Sequence, residues 1–259
     1  MRRAPALICL LAAGCLMAQT RGLTITTKSI AARAEFEKGW LCLDKQLTDK
    51  AKAHFEKAIQ QDADFALAHL GLSLTASTYP EQREAINSAK KAAAKASKME
   101  QGLIKAMDLF LDNRLSEAQK ELQALKKKYP KVETFWYWSA TAHYLNREYE
   151  AAVQEFMQVL QIHPEYHAAY NMLGYCYRDL GDYEKAKQAL IKYTELLPDE
   201  PNPHDSLADL YMTLGEYDKA IASYQAALKA DSQCYQSADK IATCYSRTGR
   251  YDEAIAQLS

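Results

Sequence analysis

The feature that most constrains the fold is an internal repeat with a period of 34 residues. Two successive segments each carry an aromatic residue, a small residue, an alanine, a bulky apolar residue and a proline, at intervals of 4, 12, 4 and 8. In the first segment these residues are Trp136, Ala140, Ala152, Phe156 and Pro164. In the second they are Tyr170, Gly174, Ala186, Leu190 and Pro198. A period of this length indicates a repeat protein, in which each unit buries its apolar face by stacking on its neighbours.

The composition agrees with a helical repeat and excludes one class of partner. Only 9 Gly and 7 Pro occur among 259 residues, whereas Ala, Leu, Lys and Glu are abundant. These abundant residues have high helix propensity. The formal net charge is −1, whereas a nucleic-acid-binding surface would leave a basic stripe in the sequence. We therefore expect no nucleic-acid partner.

The spacing resembles that of the tetratricopeptide repeat (TPR) family over nearly the whole of residues 32–259. The resemblance implies an all-α fold, a right-handed α-solenoid of stacked helix-turn-helix units with about six full repeats and a partial seventh. Gly181 and Gly215 are expected to end first helices, since glycine readily takes the left-handed conformation found there. The repeats are predicted at about 32–65, 66–98, 99–132, 133–166, 167–200, 201–234 and 235–259 (partial).

The first 18 residues have the pattern of a signal peptide. Arg2 and Arg3 precede an uncharged run over 4–18, too short for a membrane span of about 20 residues. Cleavage after Ala18 is one interpretation; alternatively, 11–15 loosely resembles a bacterial lipobox that would attach a lipid to Cys15. We expect export to the periplasm or medium, or alternatively a lipid anchor in the bacterial envelope.

Residues 19–31 are short, polar and threonine-rich, which predicts a linker in which Ser29 caps the first helix. Beyond the leader, four cysteines remain: Cys42, Cys176, Cys234 and Cys244. Cys234 and Cys244 would lie roughly 15 Å apart along one helix, which is beyond the reach of a disulfide. We therefore expect small buried thiols.

No group of residues predicts catalysis, a cofactor or a metal. His163 and His167 are four residues apart, but Pro164 interrupts any helix between them, so we interpret them as part of a solvated loop. His69 and His204 occupy the aromatic position of their repeats and are interpreted as core or partly buried residues. There is no glycine-rich phosphate loop and no Cys-x-x-Cys pair. We therefore expect no enzymatic activity.

The TPR resemblance implies that first helices line a concave groove for a protein or peptide. Aromatic residues and arginine often anchor such interfaces. As an alternative, Tyr137 and Trp138 pack on the preceding repeat. A clamp for C-terminal carboxylates is not expected, because only Lys240 among the equivalent positions is cationic. The predicted groove residues are Tyr137, Trp138, Thr141, Tyr144, Asn171, Met172, Tyr175, Arg178, Asp205 and Asp209.

The leading hypothesis is a non-catalytic scaffold of the cell envelope that binds a protein or peptide partner. One alternative is a sensory or docking arm of an enzyme whose catalytic part lies beyond Ser259. Another is a glycan- or small-ligand-binding lipoprotein with Trp138 and Tyr144 as stacking platforms. Ile255 and Leu258 lie on an unfinished last helix, so we expect that the natural chain continues or that this end self-associates.

Overall fold

The computed structural model describes residues 22–45, 47–232 and 234–258. These residues form fourteen α-helices and no strand, which confirms the predicted all-α class. The predicted signal peptide and Cys15 lie outside the described residues. The chain divides into two compact units, 1–164 (unit 1) and 165–259 (unit 2).

In both units, consecutive helices pack in pairs joined by short turns. Unit 1 contains α1 Ile30–Asp44, α2 Thr48–Gln61, α3 Ala66–Thr75, α4 Tyr79–Ala92, α5 Lys98–Leu111, α6 Leu115–Lys128, α7 Glu133–Leu145 and α8 Tyr149–Ile162. A 3-10 turn, Ala93–Lys95, follows α4. Unit 2 contains α9 His167–Asp179, α10 Tyr183–Leu196, α11 Pro201–Thr213, α12 Tyr217–Ala230, α13 Tyr235–Arg247 and α14 Tyr251–Gln257.

From residue 133 onwards the helices keep the period of the sequence. The first helices of successive repeats, α7, α9, α11 and α13, begin 34 residues apart, and so do the second helices. Each of these second helices begins with a tyrosine. The repeat pattern therefore sets the helix register as well as the helix content.

The turns within repeats use left-handed backbone, as expected at the end of a helix. Gly181 and Gly215 have φ of +80° and +74°, which confirms the prediction for both. Asn113 and Arg147 take the same role with φ of 58° and 63°. Asparagine tolerates this conformation better than most residues, whereas arginine is strained by it. The third and fourth repeats thus make the turn without glycine.

Small residues allow close helix packing. In unit 2, a Cβ atom on Gly174 would lie 2.6 Å from Leu190 Cγ, so α9 and α10 approach each other only because that atom is missing. Cys176 and Cys244 are fully buried, as predicted, whereas Cys42 and Cys234 are half-buried. Burial raises the pKa of the Cys176 thiol to about 12, so this thiol stays protonated and unreactive.

Ser29 caps the first helix, as predicted. Helix α1 begins at Ile30, and Ser29 accepts a hydrogen bond from the Ala32 amide at 3.1 Å. Residues 22–29, called the strap below, lie against the helices of unit 1, and the Leu23 side chain is buried. The strap makes hydrogen bonds to residues that are distant in the sequence. It is therefore held against the helices and is not a free linker.

A polar contact between α1 and α2 gives unit 1 a predictable acid sensitivity. The Glu35 carboxylate lies 2.6 Å from Lys38 Nζ and 2.8 Å from His54 Nδ1. The hydrogen bonds from Lys38 and His54 lower the pKa of Glu35 from 4.5 to about 2. The charged carboxylate therefore stabilises the fold above pH 4.5, and this stabilisation is lost as the pH falls towards 2.

We expect Glu35→Gln to reduce the pH dependence of unit 1 stability in this range. Urea unfolding of both proteins at pH 6 and pH 3 would measure it. Wild type should lose more stability between the two conditions than the variant. Equal losses would contradict the assigned role of Glu35.

Candidate functional site

The structure buries most of the predicted groove residues of unit 1. Tyr137, Trp138 and Thr141 are each only 1% exposed. The Trp138 ring packs edge-on against Phe110 of α5 at 5.5 Å, and the Tyr137 ring packs on Phe156 at 5.4 Å. The reason is that α7 is apolar around most of its circumference, which is typical of a core helix. The alternative interpretation, packing on the preceding repeat, is confirmed for Trp138.

The stacking platform proposed for a glycan is also wrong in its main residue. Trp138 is buried, so neither face of its ring is open to a sugar. Tyr144 is half-buried, and its ring lies 5.6 Å from that of Tyr149. Of the predicted aromatic groove residues, Tyr137 and Trp138 are therefore part of the core of unit 1, whereas Tyr144 is half-buried.

In unit 2 the predicted residues lie on a half-buried polar surface. This surface runs across the first helices α9, α11 and α13, and it is called the polar strip. Its half-buried members are Asn171, Tyr175, Arg178, Asp205, Asp209 and Lys240, and it also contains the buried side chains of Ser206 and Ser237. Met172, predicted with them, is buried beneath the strip, because its apolar side chain points into the core.

Between α9 and α11, the strip is joined by a hydrogen bond, and a cation–π contact within α9 lies beside it. The Tyr175 hydroxyl lies 3.0 Å from Ser206 Oγ. The Arg178 guanidinium lies 5.1 Å from the centre of the Tyr175 ring and pairs with Asp179 at 2.8 Å. Burial raises the pKa of Tyr175, so its hydroxyl stays protonated and available as a donor.

Between α11 and α13, the strip is joined by Lys240. Its Nζ lies 2.8 Å from Asp205 Oδ2 and 2.8 Å from Asp209 Oδ1. Ser237 Oγ donates a hydrogen bond to Asp205 Oδ1 at 2.7 Å, and the Tyr224 hydroxyl donates one to Asp209. One ammonium thus bridges two carboxylates, and the acidic part of the predicted groove is partly neutralised.

The raised pKa values of Lys240 and Tyr224 keep both groups protonated, so the bridge stays intact. Burial opposes the charge of Lys240, but hydrogen bonds to Asp205 and Asp209 outweigh it and raise the pKa of Lys240. Burial also raises the pKa of Tyr224, and its hydrogen bond to Asp209 raises it further. The ammonium and the phenol therefore both stay protonated at neutral pH.

Sequence reasoning did not place Lys240 in the site. The signal that could have found it is the 34-residue period, because Lys240 is equivalent to Ser206 and Met172. Residues at this position contact the preceding repeat: Ser206 bonds Tyr175, and Lys240 bonds Asp205 and Asp209.

The histidines at the aromatic position have a definite structural role. His69 Nε2 lies 2.9 Å from the Ala63 carbonyl, and His204 Nε2 lies 2.7 Å from the Pro198 carbonyl. Trp136 Nε1 donates to the Pro130 carbonyl at 3.0 Å over the same separation of six residues. Because a carbonyl can only accept, Nε2 carries the proton in both histidines. Both are half-buried, as predicted.

The chemistry available in the described part of the chain is hydrogen bonding and ion pairing by side chains. No group of three or more His, Cys, Asp or Glu among them could hold a metal ion. His167 stacks on Tyr193 at 6.1 Å, which is a packing contact. Within the part of the chain that the structure describes, no helix combines the length and apolarity that a bilayer crossing requires.

The helix pairs and their period resemble those of known proteins. Models described as "Tetratricopeptide repeat" match residues 32–65, 105–166, 143–210 and 206–259. This chain belongs to the tetratricopeptide repeat family. TPR solenoids typically serve as scaffolds for protein interactions rather than as enzymes. No curated protein sequence matches the chain.

Two solved structures share the TPR fold at low sequence identity. A chain in "Crystal structure of APC/C hetero-tetramer Cut9-Hcn1" aligns with a TM-score of 0.60 and 19% identity, covering 82% of this protein. This protein spans 42% of that chain. The "MamA RS-1 ArsTM double mutant" aligns with a TM-score of 0.56 and 17% identity, covering 63% of this protein and 92% of that chain. At these identities the likeness shows the fold alone.

Proposed function

We propose that this TPR protein is a non-catalytic adaptor that binds a protein or peptide partner on the polar strip of unit 2. The observation that carries the proposal is that side chains of three successive first helices are linked to each other, with half-exposed residues on each helix, among them Tyr175, Asp205 and Lys240. The first helices recur with the repeat period, so a partner segment lying across α9, α11 and α13 would meet bonding groups on each helix.

The chemistry of the strip fits a partner with both donors and acceptors. Tyr175 and Arg178 are residue types that often anchor interfaces. Asp205 and Asp209 are each about a quarter to a third exposed, so their oxygens can accept from a partner. Because Lys240 and the carboxylates already hold each other in place, a partner meets fixed groups and less ordering entropy is lost on binding.

We also propose that the adaptor acts in the cell envelope. The support is the sequence of residues 1–18, with two arginines before an uncharged run. A lipid on Cys15 is the alternative to soluble export. The partner would then be another envelope protein, and the strip would face the periplasm or the medium.

Site-specific photo-cross-linking tests this function. Thr243 is exposed on α13, and its position in the repeat is that of Asp209, so Thr243→benzoylphenylalanine places the probe beside the strip. The matched control is Lys192→benzoylphenylalanine, on the second helix α10. We expect a discrete cross-linked partner in cells from residue 243 and none from residue 192.

A second substitution shows whether the strip itself binds. Adding Arg178→Ala to the Thr243 probe should reduce the cross-linked product at least tenfold, because hot-spot residues in an interface contribute about 2 kcal/mol or more. Circular dichroism should show unchanged helix content. Equal products from the two probe positions, or no effect of Arg178→Ala, would contradict the proposed surface.

A further inference from the structure

The strap, residues 22–29, is an extended segment with two different sides. Residues 23, 25, 27 and 29 are more buried than residues 22, 24, 26 and 28, which is the alternation of an extended chain. Leu23 is the most buried of them. This alternation shows that one side of the strap is fitted to unit 1.

The strap crosses three successive turns between repeats. At its start, Gly22 lies against Val132, just before α7. The Thr24 and Thr26 amides donate to Met99 Sδ at 3.3 Å and to Glu100 Oε1 at 2.9 Å, in the first turn of α5. The Thr27 hydroxyl then donates to Asp62 Oδ2 at 2.5 Å, at the end of α2. The strap therefore runs against the order of the repeats along one edge of unit 1.

Glu100 is the main contact of the strap. Its side chain is 0% exposed, and it accepts from the Thr26 amide, the Thr26 hydroxyl and the Ser97 amide. A buried carboxylate is stable only when its oxygens are hydrogen-bonded. Two of these three donors come from the strap, so the fold keeps a buried charge whose bonding depends on a segment 74 residues away.

The fit is not continuous along the strap. A cleft of about 1,010 Å³ lies between residues 25–29 and the turns, lined also by Gln61, Asp62, Asp64 and Lys95. The amides of Thr24 and Thr26 bond to side chains rather than to a neighbouring strand. A segment held at a few points beside an open cleft can detach without unfolding the helices beneath it.

We propose that this turn edge of unit 1 is a binding surface for an extended, hydroxyl-bearing segment, and that the strap is its releasable intramolecular occupant. The surface recognises an apolar side chain at the Leu23 position, an amide and a hydroxyl at the Thr26 position, and a hydroxyl at the Thr27 position. When the strap leaves, Glu100 and Asp62 become the acceptors for another segment of the same chemistry.

The first test is hydrogen exchange on the full chain. Thr26→Val removes the hydroxyl donor to Glu100, and Thr24→Val is the matched control, since Thr24 is exposed and its amide makes the contact. Losing a hydrogen bond to a charged group changes an equilibrium by more than tenfold. We expect strap amides to exchange at least tenfold faster in Thr26→Val and at the wild-type rate in Thr24→Val.

The second test supplies the strap in trans. A fluorescent peptide of residues 22–29 should bind the Thr26→Val chain at least tenfold tighter than the wild-type chain, whose surface is occupied. Glu100→Gln should abolish this binding, because an amide has a single acceptor oxygen and would turn its NH₂ group towards the donors. A peptide of the same composition in scrambled order serves as control.

Each outcome decides the proposal. Tighter binding to Thr26→Val, lost in Glu100→Gln, supports a releasable occupant. Equal exchange in wild type and Thr26→Val overturns it, as does equal peptide binding by all three chains. No peptide binding to Thr26→Val despite faster exchange also overturns it, because the vacated edge would then not be a binding surface.

Discussion

Replacing Lys126 with methionine should lower the free energy of unfolding of unit 1 by about 3–5 kcal/mol. The Lys126 side chain is only 4% exposed. Its ammonium donates to Ser139 Oγ at 2.8 Å and to the Glu155 carboxylate, and it lies 4.8 Å from the centre of the Trp136 ring. Methionine keeps the packing of the chain but leaves the partly buried Glu155 carboxylate without its ammonium partner.

Urea unfolding followed by tryptophan fluorescence measures this loss for unit 1, because all three tryptophans lie there. Lys105→Met is the matched control within unit 1, since Lys105 pairs with Glu121 and its side chain is exposed, and such pairs contribute little. The double variant Lys126→Met/Glu155→Leu should regain most of the stability, since an apolar pair can replace a buried ion pair. Equal effects of Lys126→Met and Lys105→Met would contradict this account.

The period of the sequence predicted the fold because helix pairing in this chain is local. Small residues, aromatics and prolines recur every 34 residues, and each marks a contact or a turn within one repeat or with the next. The buried ion pair of Lys126 was not predicted. Its partners, Ser139 and Glu155, belong to the following repeat, and no consensus position of the repeat marks them.

The repeat pattern alone also does not separate the predicted groove residues that are exposed from those that are buried. The family pattern assigns equivalent positions in every repeat to the groove. In unit 2, Tyr175, Asp205 and Asp209 are indeed half-exposed on first helices. In unit 1, the positions equivalent to Asp205 and Asp209 are occupied by Tyr137 and Thr141, and both are core residues. Exposure therefore depends on the side chains that each repeat carries, and a position-by-position rule does not contain that information.

The strap was predicted as a linker because its composition is polar and threonine-rich. Composition indicates whether a segment can form its own core, but it does not show whether another part of the chain supplies partners. The partner carboxylate, Glu100, was visible in the sequence only as a residue near the start of a helix. A contact across 74 residues leaves no local periodicity to detect.

Replacing Gly71 with alanine should destabilise unit 1 by about 1–3 kcal/mol, the usual range for overpacking a core. A Cβ atom on Gly71 of α3 would lie 2.6 Å from Cε1 and Cζ of the Phe55 ring. The ring cannot retreat towards α1, because Gly39 contacts its other side and a Cβ there would lie 2.7 Å away. The Phe55 ring is therefore held between two glycines.

Whether Gly71→Ala lowers or raises the free energy of unfolding distinguishes the effect of close packing from that of helix propensity. In an exposed helix, Gly→Ala stabilises by about 1 kcal/mol, so a stabilised Gly71→Ala variant in urea unfolding would disprove the close contact. Adding Phe55→Leu provides the control, because the smaller side chain removes the ring atoms that meet the new methyl group. Gly71→Ala should then cost much less in the Phe55→Leu background than in wild type, and this coupling measures the contact directly. The packing of α1, α2 and α3 thus depends on the Phe55 ring. The helices can lie this close together because Gly39 and Gly71 carry no Cβ atom.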